Sequence, residues 1–80
     1  MIKIYSTAWC APCQSAKRLL DQLKQSYEEI DIEKNGISRQ ELKNITGGFT
    51  VPQIVIHDKC IGGFDELFKL NQQGKLKELL

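Results

Sequence analysis

The sequence predicts one α/β domain of element order βαβαββα, with a mixed four-stranded sheet and helices on both of its faces. Three observations lead to this prediction. The chain has 80 residues, which is enough for a single small domain. Segments in which apolar residues recur at every second position alternate along the chain with segments of helical periodicity. The breaks between them are no longer than a pair such as Gly47-Gly48, so we expect residues 1–80 to fold as one domain.

Two strands and a helix account for the first part of the chain. Residues 2–5 alternate apolar and polar side chains and are rich in β-forming types, which predicts a short strand. From Cys10 to about Lys24 the apolar residues recur at helical spacing, which predicts an amphipathic helix. Residues 27–32 return to alternation. They predict a second strand parallel to the first, because a helix connects the two.

A second helix is predicted from the signals at its two ends. Ser38-x-x-Glu41 is a capping-box pattern, in which each side chain accepts a hydrogen bond from the other residue's backbone. Gly47 stands where a left-handed residue commonly follows a helix. We therefore expect a short helix between these signals.

A hairpin and a last helix complete the chain. Residues 51–57 form a near-continuous β-branched run, and apolar residues resume at Cys60. This predicts a hairpin with its turn at Asp58-Lys59. The apolar side chains between residues 64 and 68 have helical spacing, and Gly74 is expected to end that helix before a last apolar turn.

Charge and composition exclude several classes of function. The 11 basic and 10 acidic residues give a net charge of +1, and the basic ones are scattered, so the chain lacks the basic patch of a nucleic-acid-binding protein. No stretch approaches the roughly 20 apolar residues that a bilayer span requires. The segment before Cys10 has no apolar region or cleavage site of a signal peptide. We expect a cytoplasmic protein with neither a membrane nor a nucleic-acid partner.

The cysteines point to chemistry rather than to a structural framework. Three are too few, and the wrong parity, for the disulfides of a secreted scaffold. Cys10 and Cys13 form a C-x-x-C that follows the first predicted strand and opens the first helix. In a reducing compartment this pattern indicates a redox dithiol or half of a zinc site. Together with the element order, it is the layout of a thioredoxin-like fold.

The position of Cys10 favours the redox interpretation, because thiol–disulfide exchange needs a thiolate. At a helix start its sulfur would face the unpaired N–H groups of Cys13 and Gln14 and the positive end of the helix dipole. Pro12 fits the first turn, where its missing N–H has no intrahelical partner to lose. We expect Cys10 to be the nucleophile and Cys13 the resolving thiol of a redox-active disulfide.

Three other residues have competing interpretations. His57 and Cys60 have a tolerable spacing to complete a zinc site with the C-x-x-C, but they lie across a predicted hairpin, so we expect no metal. Cys60 is expected to be a half-buried strand residue rather than a third catalytic thiol. Trp9 is either an ordinary core residue or a shield beside the thiolate, and the sequence does not separate the two.

Three separated motifs resemble those of glutaredoxins. They are Cys10-Ala11-Pro12-Cys13, Thr50-Val51-Pro52 and Ile61-Gly62-Gly63-Phe64-Asp65, in this order and at this spacing. The resemblance covers the whole chain and is to small bacterial glutaredoxins of the dithiol type. It implies glutathione-dependent reduction of protein disulfides and of glutathione mixed disulfides. It also implies no permanently bound cofactor, with glutathione as co-substrate.

The resemblance implies where glutathione binds. It implies a cis Val51-Pro52 bond, with the backbone N–H and C=O of Val51 paired with the cysteinyl part of glutathione. Arg39 matches the position from which glutaredoxins often reach the glycine carboxylate. A solvated helix charge is the alternative interpretation of Arg39.

The start of the last helix is the other half of the implied glutathione site. The resemblance implies that the γ-glutamyl carboxylate meets the N–H groups of Phe64 and Asp65, with the Asp65 carboxylate on the γ-glutamyl amine. A helix N-terminus binds anions, and Gly62 with Gly63 permits close backbone approach.

The redox loop departs from the glutaredoxin pattern. Trp9-Cys10-Ala11-Pro12-Cys13 resembles the W-C-G-P-C of thioredoxins, and Thr7 stands where a basic residue is common in glutaredoxins. Two alternatives therefore stay open: a glutaredoxin-like thioredoxin reduced by a flavoprotein thioredoxin reductase, and a non-catalytic glutaredoxin that binds an iron–sulfur cluster. The expected partners are glutathione and disulfide-containing or glutathionylated proteins, with ribonucleotide reductase among the candidates. The chain is expected to be a monomer.

Overall fold

Strands and helices follow one another in the predicted order, with one short helix added at the end. The structure is a computed structural model that describes residues 1–80. The last helix corresponds to the apolar turn predicted after Gly74. The elements are β1 (Ile2–Ser6), α1 (Ala11–Gln22), β2 (Glu28–Asp31), α2 (Arg39–Thr46), β3 (Gln53–Ile56), β4 (Lys59–Gly62), α3 (Phe64–Gln72) and α4 (Leu76–Leu79).

The four strands form one mixed sheet in the order β2-β1-β3-β4. β1 pairs with β2 in parallel, as the intervening helix requires. β3 lies antiparallel to both β1 and β4. The predicted fold class is therefore confirmed, with a parallel half built from the first two strands and an antiparallel half built from the hairpin.

Helices cover both faces of the sheet. The apolar side chains of β1 alternate between the faces, as the pleat of a strand dictates. On one face Ile2 and Ile4 pack against residues of α1, α3 and α4, and on the other Tyr5 packs with Leu42 of α2. None of the helices is long and apolar enough to cross a membrane.

Capping side chains fix where the first two helices begin. Cys10 is the N-cap of α1, which starts one residue later than predicted and ends two residues earlier. Ser38 and Glu41 form the predicted capping box at the start of α2, with the Glu41 N–H donating to Ser38 Oγ at 3.1 Å. Gly47 follows α2 with φ 89°, the left-handed conformation that its sequence position predicted.

The hairpin differs from its prediction in register. Its turn is His57-Asp58, both with positive φ, of 48° and 68°, and Lys59 already belongs to β4. Two-residue hairpin loops match the strand twist when both residues are left-handed, and Asp tolerates that conformation. β3 is also shorter than the predicted 51–57 run, because Val51 and Pro52 precede its first ladder residue.

Candidate active site

The C-x-x-C lies at the junction between β1 and α1. A disulfide joins Cys10 and Cys13, whose Cα atoms are 5.2 Å apart. Cys10 is the N-cap residue and Cys13 is in the first turn of α1. This places the pair at the carboxyl end of β1, where the loop leads the chain from the sheet into the helix.

Hydrogen bonds distinguish the two sulfurs. The Cys13 N–H donates to Cys10 Sγ at 3.1 Å, as the prediction for a helix start requires. The Gln14 N–H, which was also expected there, instead donates to the Cys10 carbonyl at 3.3 Å as the first bond of the helix. Cys13 has no solvent-exposed surface. Cys10 is itself only 4% exposed, so the outer sulfur differs from the inner one in accepting a helix-start N–H, an arrangement that favours a thiolate when the disulfide is reduced.

Val51 and Pro52, in the segment that leads into β3, approach the redox pair. The bond between them is cis, as the resemblance implies. The Val51 carbonyl oxygen lies 3.6 Å from Cys10 Sγ, within reach of a thiol donor. A backbone edge thus stands directly beside the outer sulfur.

A groove of about 510 Å³ runs from the redox loop to the start of α3. Its walls come from three separate parts of the chain, which the sequence analysis had connected only through the resemblance. Six of the predicted site residues line it: Pro12, Val51, Pro52, Gly63, Phe64 and Asp65.

The start of α3 closes one end of this groove. Gly63 is the N-cap, and its N–H donates to Glu66 Oε1 at 3.4 Å. The next N–H groups, of Phe64 and Asp65, have no partner within the helix. The Asp65 side chain is exposed. Backbone donors and the carboxylates of Asp65 and Glu66 therefore line this end of the groove together.

Arg39 is not among the residues that line the groove. Its Nη1 donates to the Phe49 carbonyl at 3.0 Å, so the guanidinium supports the loop that leads to Thr50 and Val51. Lys43 Nζ lies 4.7 Å from the centre of the Phe49 ring, a cation–π contact on the same loop. The placement of Arg39 on the glycine carboxylate stays a prediction.

Trp9 is not a core residue. Its side chain is 65% exposed, and its Nε1 donates to Glu33 Oε1 at 3.2 Å. Of the two interpretations left open, the core one is wrong. The indole lies on the surface next to Cys10 in the sequence and is held by Glu33 in the loop after β2.

Cys60 and His57 do not join the redox pair. Cys60 is exposed rather than half-buried, because it lies on an edge strand with no neighbour beyond it. It lines the groove with its thiol directed to the Ile45 carbonyl, 3.6 Å away. His57 instead bridges the chain ends, with Nδ1 2.7 Å from the Met1 amino group and Nε2 3.1 Å from the Leu80 carbonyl.

Sequence reasoning missed a polar network that joins β1, β2 and α1. Ser6 Oγ donates to Glu29 Oε2 at 2.8 Å, and Lys17 Nζ donates to the same oxygen at 2.8 Å. The hydrogen bonds from Lys17 and from Ser6 hold the pKa of Glu29 below its usual range. These residues come from three elements and are far apart in the sequence, so no local pattern could have indicated the network.

Comparison with known proteins places these motifs in context. The sequence model of the glutaredoxin family matches residues 2–61. The glutaredoxin of Pseudomonas aeruginosa is 42% identical over 79 residues, which cover 99% of this chain and 94% of that protein. Glutaredoxin 3 of Escherichia coli K12 is 39% identical over 79 residues, covering 99% and 95%.

Solved structures agree with the sequence comparisons. The crystal structure of a buckwheat glutaredoxin–glutathione complex superposes with a TM-score of 0.89 at 32% identity, over 99% of this chain and 74% of that one. The solution structure of a glutaredoxin from Brucella melitensis gives a TM-score of 0.84 at 36% identity, over 99% and 86%. Full-length similarity in sequence and in backbone therefore accompanies the C-x-x-C geometry.

Proposed function

Because the chain belongs to the glutaredoxin family, we propose that its groove binds glutathione and that Cys10 exchanges disulfides with glutathionylated and disulfide-bonded proteins. The chain is an enzyme, a dithiol thiol–disulfide oxidoreductase. The observation that carries the glutathione site is the single groove that joins the redox loop, the Val51-Pro52 edge and the start of α3.

The reaction on a mixed disulfide conserves atoms and electrons. The Cys10 thiolate attacks the glutathione sulfur, an S–S bond forms between them, and the substrate protein leaves as a thiolate that takes up a proton. A second glutathione thiolate then attacks the glutathione sulfur held on Cys10. Oxidised glutathione leaves, and Cys10 returns to its thiolate. Two electrons pass from glutathione to the substrate.

A protein disulfide needs the second cysteine. The Cys10 thiolate forms a mixed disulfide with one substrate sulfur, and the other substrate sulfur leaves as a thiolate. Cys13 then attacks Cys10, which closes the intramolecular disulfide and releases the reduced substrate. Two glutathione molecules reopen that disulfide in successive exchanges.

The proposed docking of glutathione uses both ends of the groove. The Val51 backbone pairs with the cysteinyl unit and so presents the glutathione sulfur to Cys10, whose sulfur is 3.6 Å from the Val51 carbonyl. The free N–H groups at the start of α3 accommodate the γ-glutamyl carboxylate. The exposed Asp65 carboxylate is available for the γ-glutamyl ammonium.

The choice of electron donor is what the experiment must decide. We would follow steady-state reduction of a glutathionylated peptide with either glutathione or a flavoprotein thioredoxin reductase as sole donor. Turnover with glutathione alone is expected. Turnover only with the reductase would favour the glutaredoxin-like thioredoxin, for which the exposed Trp9 of the W-C-A-P-C loop is the supporting feature.

The iron–sulfur alternative makes a different prediction. A protein that held a cluster through Cys10 would be coloured after anaerobic purification and would release iron and sulfide on acidification. We expect a colourless preparation, because Cys10 already has an intramolecular partner in Cys13.

The proposal also covers the cellular location, the substrates and the oligomeric state of the protein. A cytoplasmic location fits a reaction that draws on reduced glutathione and a chain with an exposed unpaired thiol at Cys60. The proposed substrates are proteins with disulfides or glutathionylated cysteines, ribonucleotide reductase among the candidates. We further propose that the chain works as a monomer without a permanently bound cofactor.

A further inference from the structure

A second cleft lies between α1 and α3, and no step of the reaction described above uses it. This α1–α3 cleft has a volume of about 230 Å³. It is lined by Ser15, Arg18, Leu19 and Gln22 of α1 and by Phe64 and Phe68 of α3.

The α1–α3 cleft continues the groove that is proposed to bind glutathione. Phe64 lines both cavities. On α1, Pro12 lines the groove, whereas Ser15 and Leu19 line the cleft. These three residues follow one another at spacings of three and four, so they share one face of the helix. A polypeptide that crosses the groove at Pro12 can therefore continue along this face into the cleft.

The walls of the cleft are mainly apolar and rest on the protein core. Leu19 and Phe64 pack against the main core cluster, to which Phe68 does not belong. The ring centre of Phe68 lies 5.8 Å from that of Phe64, and Phe68 is 43% exposed. An exposed aromatic ring that adjoins other apolar side chains is typical of a surface that binds a partner.

Arg18 is the only charged residue that lines the cleft. The one ion pair of the structure joins Lys17 and Glu29, so the Arg18 guanidinium has no carboxylate partner within the chain. An unpaired cation beside an apolar surface is complementary to an acidic group that stands next to an apolar one. The chemistry of the cleft therefore fits an apolar side chain with a neighbouring carboxylate.

The size and position of the cleft indicate that its occupant is part of a polypeptide. Sites for whole small molecules commonly occupy ~300–1,000 Å³, so about 230 Å³ suits a single side chain of a larger partner. The middle of the cleft lies roughly 10 Å beyond Pro12, because α1 rises about 1.5 Å per residue. An extended chain covers that distance in about three residues.

We propose that the α1–α3 cleft receives an apolar side chain of the polypeptide that is joined to Cys10 in the mixed disulfide, and that Arg18 pairs with an acidic residue beside it. The preferred substrates are protein disulfides with an apolar–acidic pair about three residues from the reactive cysteine. The inference rests on the dithiol exchange proposed above. The proposed docking of glutathione uses neither Arg18 nor Phe68, so the cleft selects the protein substrate alone.

The test uses short peptides with one cysteine, oxidised to their disulfide-linked dimers. The third and fourth residues from the cysteine are Phe-Glu, Ser-Glu or Phe-Lys, placed after the cysteine in one set and before it in another. Reduced protein in a Cys60→Ser background is mixed with excess peptide disulfide and no glutathione. The second-order rate constant for closure of the Cys10–Cys13 disulfide is measured by acid quenching and mass spectrometry.

One of the two sets is expected to show both preferences. The rate constant for Phe-Glu should exceed that for Ser-Glu by about tenfold, because the Ser peptide buries no aromatic side chain. It should exceed that for Phe-Lys by about threefold, as expected for an exposed ion pair. Equal rate constants within both sets would overturn the proposal.

Three variants locate the preferences on the chain. Arg18→Glu should reverse the order of the Phe-Glu and Phe-Lys peptides, and Phe68→Ser should remove most of the advantage of Phe over Ser. Lys77→Glu makes the same change of net charge at an exposed residue of α4 that lines neither cavity, and it should keep the order of the unmodified chain. An order that Arg18→Glu and Lys77→Glu change alike would overturn the proposal.

Two further results would assign the cleft to another occupant and would also overturn the proposal. A raised KM for glutathione in Arg18→Glu would assign it to glutathione. A dimer of the unmodified chain that Phe68→Ser dissociates, measured by sedimentation, would assign it to a second copy. The peptide reactions contain no glutathione, so they decide the role of the cleft even if the glutathione turnover assay fails.

Discussion

At the scale of single residues, the two sulfurs differ in what surrounds them. Cys10 Sγ accepts the Cys13 N–H at the start of a helix and stands beside the Val51 carbonyl. Cys13 is fully buried between the helix and the sheet. Cys10 is itself only 4% exposed, so the difference lies in the helix-start N–H that its sulfur accepts. A helix N-terminus stabilises a thiolate, which supports the proposed role of Cys10 as the nucleophile.

Replacing each cysteine in turn tests this division of roles. Cys10→Ser should abolish all activity, whereas Cys13→Ser should still reduce glutathione mixed disulfides, for which one thiol suffices. Reduction of a protein disulfide should require both. The variants are compared by steady-state turnover in a Cys60→Ser background, so that the exposed third thiol cannot substitute. Appreciable turnover by Cys10→Ser would show that the nucleophile is misassigned.

Asp65 offers a test of glutathione recognition that leaves the thiols intact. Asp65→Ala should lose about 1–3 kcal/mol of glutathione binding, the range for a hydrogen bond to a charged group. The effect should appear as a raised KM for glutathione, with little change in the pH dependence of Cys10 alkylation. Glu78→Ala removes an exposed carboxylate outside the groove and is the control. Equal KM values for the two variants would show that Asp65 does not bind glutathione.

Short contiguous motifs allowed the sequence to indicate several candidate site residues. These are the two cysteines of the C-x-x-C, Val51, Pro52 and the start of the last helix. Trp9 could not be placed, since its exposure depends on a hydrogen bond to Glu33, a residue 24 positions away. The hydrogen bond between Ser6 and Glu29 could not be predicted either, because these residues are also far apart in the sequence. It joins residues of neighbouring strands whose register exists only in the folded sheet.

Among the helices and strands, the predicted boundaries are accurate where a local capping motif marks the end of the element. The capping box of Ser38 and Glu41 and the left-handed Gly47 set both ends of α2 as expected, because caps act within a few residues. The hairpin turn lies one residue earlier than expected. The turn contains no glycine, so composition alone could not fix its register, whereas pairing with β1 and β4 does.

The capping box should contribute measurably to stability. Ser38→Ala removes the acceptor for the Glu41 N–H and should cost about 1 kcal/mol of the free energy of unfolding, measured by urea denaturation. Ser38→Gly should cost only about a few tenths of a kcal/mol of the free energy of unfolding, because glycine is itself a favourable N-cap. If the two variants were equally destabilised, the side-chain cap would not be the cause.

At the scale of the whole molecule, the ion pair between Lys17 and Glu29 ties α1 to β2 and makes stability depend on pH. The pKa of Glu29 is lowered in the folded state. The stability that this shift contributes is therefore complete above the unfolded value of 4.5 and is lost as the pH falls through the lower folded value.

Glu29→Gln should accordingly lose stability at neutral pH and show a weaker decline in melting temperature on acidification. High salt should reduce the difference, because the Glu29 side chain is 39% exposed and the pair is partly screened. Glu28→Gln, a neighbouring exposed residue without this pair, should keep the acid profile of the unmodified chain. Parallel thermal melts across the acid range check both expectations.

The contacts of His57 have a consequence for how the protein can be handled. One imidazole ring joins Met1 and Leu80 at the start of β1, while the redox pair follows the far end of that strand. The five residues of β1 span about 17 Å between these two positions. A chain attached to an electrode through either terminus would hold its thiols toward the solution, where soluble disulfides can reach them.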